Sequence, residues 1–170
     1  MAWVGIGSAV VLVVAVLAAA VLLPVYLSHR TVSTSDCQEA VPAGASLAAT
    51  EFLTDLNSGY VGWTRVSRSI HAEHDVVHLN DLMNEQAIDS NFTELVATIK
   101  FTGPAAATAN AYLRVLHEYT RALNRAIDQS GYYAANHERF MELDNARFAL
   151  AQRLRGELDL PPAVCSLERP

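Results

Sequence analysis

The chain has 170 residues, with 12 Lys and Arg against 18 Asp and Glu, for a formal net charge of −6. The basic residues are thinly spread and interleaved with acids, as in Glu138, Arg139, Glu142, Asp144 and Arg147. There is no basic stripe, so nucleic acid is not an expected partner. The hydrophobic fraction of 51% is inflated by one N-terminal run, and what remains has the composition and length of one ordinary globular domain.

That run comes first. Met1 to Ser28 carries no charged side chain, and Ala9 to Leu23 is unbroken Ala, Val and Leu. A bilayer core needs about 20 apolar residues in helix, which predicts a transmembrane anchor over residues 1–30. Trp3 and Tyr26 stand near its two ends, where aromatic rings favour the headgroup layer. A cleaved secretory signal opens on basic residues. None is present here, and cleavage at Ala18-Ala19-Ala20 would leave Val21-Leu22-Leu23 leading the mature chain. Retention of the segment is therefore expected. His29 and Arg30 on the far side weakly favour a cytoplasmic domain by the positive-inside rule.

Residues 31–45 are polar, contain Pro42 and Gly44, and read as a linker. A helical bundle is predicted over 46–160, with a C-terminal tail at 161–170. Ser46 is a cap candidate. Leu53, Leu56, Tyr60, Trp63, Ile70 and Val77 recur at spacings of three and four, with Ser67 and His74 filling the gaps. This is the seam of a bundle helix. Asn57-Ser58-Gly59 does not interrupt the phase, so one long helix is predicted to about Glu85. Asp89-Ser90-Asn91 reads as a turn and cap, and Phe92, Leu95, Val96 and Ile99 as a short amphipathic helix.

Thr102-Gly103-Pro104 marks the next start, since Pro suits the first helical turn. Tyr112, Leu116, Tyr119, Leu123 and Ile127 define a helix that Ser130-Gly131 stops. A last helix runs from about Tyr133 to Leu158 with Phe140, Phe148, Ala151 and Leu154 on its seam, and Pro161-Pro162 closes it. The predicted fold is all-α: an anchor followed by an antiparallel bundle of three long helices and one short one.

Cys37 and Cys165 flank the bundle and are the only cysteines. With an even number of up-and-down helices the two ends meet at one face, so a Cys37–Cys165 disulfide is expected. Closing a loop of roughly 130 residues stabilises by about 4–5 kcal/mol in the chain-entropy model. Such a bond persists only in an oxidising compartment. The bridge therefore argues for an extracytoplasmic domain on a single-pass membrane protein, against the flanking charges.

For chemistry, His71, His74 and His78 would fall within about a 60° arc of one helix face. Asp75 lies one turn from His71 as ligand or hydrogen-bond acceptor. The set offers a transition-metal or haem site, with His117 and His137 on other helices as further imidazoles. The bland alternative is two solvated histidines and one hydrogen-bonded in the core. His117-Glu118 and His137-Glu138 lack the second His of the zinc-protease helix, with Arg121 and Met141 in its place. There is no Gly-x-Ser-x-Gly elbow and no phosphate loop. Tyr60, Trp63, Tyr112 and Tyr119 read as core, and Tyr132-Tyr133 as surface. The expected function is a non-enzymatic interaction or accessory subunit of an envelope membrane complex. Its partners would be the bilayer and another membrane protein or a second copy. A cofactor enters only in the metal or haem alternative.

Overall fold

The computed structural model describes residues 38–72 and 76–163. The predicted anchor, Cys37, His74, Asp75 and Cys165 lie outside the described residues. Within them the helices are α1 (Leu47–Ala72), α2 (Leu79–Thr98), α3 (Gly103–Asp128), the single turn α4 (Tyr132–Ala135) and α5 (His137–Glu157), with no strand. None of these is long and apolar enough to cross a membrane.

The all-helical prediction holds, but the division into helices differs. The single helix expected to reach about Glu85 is two, and the expected turn at Asp89-Ser90-Asn91 is mid-helix in α2. Bundle geometry explains the first difference. A helix of 26 residues such as α1 is already about 39 Å long, and a continuation would leave its far half without a core. The β-branched pair Val76-Val77 lowers helix propensity. His78 then takes an extended N-cap conformation (φ −98°, ψ 163°). Its backbone N–H donates to the carboxylate of Asp81 at 3.0 Å, which starts α2 as half of a capping box. At Asp89 the carboxylate is taken by distant side chains and does not cap a helix, so nothing diverts the backbone. Thr93 Oγ1 donates to the Asp89 carbonyl (2.6 Å) within the continuing helix.

The four long helices run up, down, up, down. Gly62 of α1 sits against Ile88 of α2, Glu85 of α2 against Tyr119 of α3, and Glu118 of α3 against Arg139 of α5. α1 packs on α2, α2 on α3, and α3 on α5. Gly131, in the left-handed region (φ 81°), ends the α3 connection where a side chain would be strained.

The core lies in two apolar layers. One is built from Phe52, Leu53, Leu56, Phe92, Val96, Tyr112, Leu116 and Leu154. The other holds Leu82, Tyr119, Leu123, Phe140 and Leu143. Tyr132 and Tyr133, expected at the surface, pack on this second layer, with Tyr133 tilted on Phe140 at 4.8 Å between centroids. Tyr112, Trp63 and Tyr119 are buried as expected, and Tyr60 packs at the edge of the first layer. Phe148 departs from its predicted seam position and is 49% exposed.

Both ends of the domain meet at one end of the bundle. Asn57 of α1 exchanges two hydrogen bonds with the backbone of Glu39, at 3.0 and 2.9 Å. The Glu39 carboxylate accepts from Arg155 of α5. The same guanidinium donates to the Pro161 carbonyl at 2.9 and 2.7 Å.

Candidate functional site

Between the two apolar layers lies a polar one, built from α1, α2, α3 and α5. Asp89, fully buried, accepts a hydrogen bond from the indole Nε1 of Trp63 at 2.8 Å. It also accepts two from Arg147 Nη1, at 3.1 and 3.2 Å. Arg147 Nε donates to Asp144 at 2.5 Å, one turn earlier on α5. Its Nη2 lies 3.9 Å from Glu85 Oε1, which accepts from the phenol of Tyr119 at 2.6 Å. The guanidinium is flanked by two aromatic faces, 4.3 Å from the Tyr119 centroid and 5.6 Å from that of Trp63, within cation–π range.

Three carboxylates therefore share one guanidinium. Burial disfavours charge on Glu85 and Asp89. Glu85 is pushed up to about 7, first by burial and then by the Asp89 charge, against the pull of Arg147 and the Tyr119 hydrogen bond. Burial also raises Asp89, while Arg147 opposes the shift. Burial works against the charge on Arg147, but the surrounding carboxylates more than offset it and hold the guanidinium charged. Tyr119 is held well above its ordinary value by burial and by Glu85, so it remains a hydrogen-bond donor.

This layer forms one side of a groove between α1 and α5, which Arg147 bridges to Trp63. Leu56, Tyr60 and Trp63 of α1 face Asp144, Arg147, Phe148 and Ala151 of α5 across it, with Tyr112 of α3 at its base. The groove is shallow and open, with room for about 60 Å³ of water. Burial raises both Tyr60 and Tyr112, the former also because Glu39 is near, so the two phenols stay neutral. The walls are aromatic and aliphatic, with one salt-bridged polar edge. Such a surface suits shape and apolar contact.

The histidine set does not lie on a single helix face. His71 is in the last turn of α1, and His78 is the N-cap of α2 on a separate element. His74 and Asp75 lie outside the described residues. His117 and His137 are exposed on α3 and α5. Among the described residues no group of three or more His, Cys, Asp or Glu side chains is placed to hold a metal ion.

Sequence reasoning passed over Glu85, Asp89 and Arg147, although a signal was present. Leu82, Glu85, Asp89, Phe92 and Val96 keep the three-four spacing of a seam, as do Phe140, Asp144, Arg147, Ala151 and Leu154. Charges at seam positions of two helices mark a buried ionic layer. Comparison with protein-family models, curated proteins and solved structures finds no match for this chain.

Proposed function

We propose that the chain is a non-enzymatic, membrane-tethered interaction module. It would act as an accessory subunit of an envelope membrane complex and use the α1–α5 groove to seat a helix of a membrane-protein partner. The observation that carries this reading is the open seam. Three neighbouring helix pairs of the bundle pack closely, while α1 and α5 approach each other less closely and leave a shallow aromatic groove rimmed by a half-exposed Phe148. Two antiparallel helices with a gap between them offer ridges and a groove to a third, and helix-in-groove binding rests on a few apolar anchors. The apolar segment of residues 1–30 is the proposed tether.

The domain is proposed to face outside the cytoplasm, with Cys37 and Cys165 bridged. Glu39 and Pro161 both bond to Arg155, and they stand two and four residues from the two cysteines. That is within the reach of an extended chain at about 3.5 Å per residue.

Purification of the full chain in mild detergent should recover a stoichiometric membrane-protein partner. Phe148→Asp, which places a charge at the groove rim, should lose that partner at unchanged helicity. Recovery of the chain alone from several detergents, or full retention of the partner by the variant, counts against the reading.

A further inference from the structure

We propose that Glu85 and Arg147 form a proton-controlled switch at the edge of the α1–α5 groove, in which loss of a proton from Glu85 draws the guanidinium towards α2 and gain of one leaves it to Asp89 and Asp144. The inference takes its functional consequence from the groove reading above, but the device itself lies wholly within the bundle.

The geometry sets up a competition. Arg147 already satisfies Asp89 through Nη1 and Asp144 through Nε. Glu85 lies 3.9 Å from Nη2, close enough to attract the guanidinium and too far for a hydrogen bond. With Glu85 neutral, two carboxylates oppose one cation. With Glu85 ionised there are three, and the nearest relief is to close the Nη2 gap. Movement in that direction weakens the contacts to Asp144 and Asp89 on the other side. Because Arg147 and Asp144 both line the groove, the rearrangement alters its polar edge. Trp63 is tied to Asp89 and lies beside the guanidinium, so it senses the change directly.

The groups facing Glu85 are few. Asp89 lies one turn on along α2, and Asp81 one turn back, with a carboxylate that accepts from the backbone N–H of His78. α3 supplies Tyr119, α4 Tyr133, and α5 Arg147 and Asp144. α1 contributes Trp63, which does not titrate. Arg147 and the two tyrosines keep their protons in the neutral range, since each is raised. Glu85, raised to about 7, changes charge in that range. A carboxyl raised in the folded state favours folding most when protonated in both states. Its contribution is complete below the unfolded value near 4.5 and is lost as pH rises through about 7.

The test uses the full chain in detergent micelles with Trp3→Phe, so that fluorescence reports Trp63 alone. The emission should titrate with a midpoint near pH 7, and the thermal midpoint should fall as pH rises from about 5.5 to 8. Glu85→Gln, an uncharged stand-in for the protonated acid, should hold both readouts at their low-pH values across the range. All six histidines remain in that variant, so a transition that persists in it belongs to them and overturns the proposal. A flat wild-type titration overturns it as well. Tyr119→Phe provides a second variant. The phenol favours the ionised carboxylate, so its loss should move the midpoint to higher pH, and an unmoved midpoint counts against the switch. Because the readout is intramolecular, failure to find a partner would bear on the groove reading and leave this one standing.

Discussion

Asp89 shows how a single side chain can set the cost of a buried charge. It holds the Trp63 indole and the Arg147 guanidinium together with no exposure to solvent. Removing one partner of a buried pair strands the other, a loss larger than the pair's net worth. Asp89→Ala should therefore destabilise the domain by about 3–5 kcal/mol, read by denaturant unfolding of the full chain carrying Trp3→Phe and followed at Trp63. Asp89→Asn keeps an acceptor for the indole and should cost less. If Asp89→Ala loses under 1 kcal/mol, the layer is better solvated than its burial indicates. At this scale the sequence was misleading. Asp89-Ser90-Asn91 has the composition of a turn because these side chains compete for local backbone groups. Here the carboxylate is engaged by residues 26 and 58 positions away, and no local reading contains those partners.

Individual helices were more legible. The seam of α3, from Tyr112 to Leu123, is apolar throughout, and its position was predicted within a residue or two. On α2 and α5 the seam carries Glu85, Asp89, Asp144 and Arg147, which dilutes the apolar periodicity and obscures both the start of α2 and the ionic layer. Gly59 and Gly62 belong to this scale too. They leave α1 unbroken, as the continuous phase implied, and Gly62 lets α2 come close. A Cβ there would lie 2.9 Å from the Ile88 side chain. Gly62→Leu should force the two helices apart and cost about 1–3 kcal/mol as overpacking, measured by thermal or denaturant unfolding. A neutral or stabilising result would mean that Ile88 can swing away and the helix gains only a better former.

For the molecule as a whole, the two apolar layers with a charged layer between them fix how the helices sit in register. A slip of one turn along any helix would bury these charges without partners, at several kcal/mol. The second whole-molecule feature is the clasp of Glu39, Arg155 and Pro161, which ties the entry and exit of the chain together. Arg155 is 1% exposed, so Glu39→Ala should strand it and destabilise by about 3 kcal/mol. If the proposed bridge is present, the non-reduced chain should yield no alkylatable thiol, and reduction should add to the loss from Glu39→Ala. Two reactive thiols in the non-reduced chain would remove the disulfide and with it the main argument for an extracytoplasmic domain.

Composition and periodicity alone were enough for an all-helical bundle. That much depends on local apolar spacing. Where the first helix ends, which acids are buried and which helix pair stays open were decided only in three dimensions. Each depends on charges that find partners on other helices. The histidine face shows the same limit from the other side. Its spacing assumed one helix through residues 71–78, and the return of α2 across α1 assigns His71 and His78 to different elements. Regular spacing is a property of one helix, whereas the balance of three carboxylates around one guanidinium belongs to two helices and the aromatic partners that two more supply.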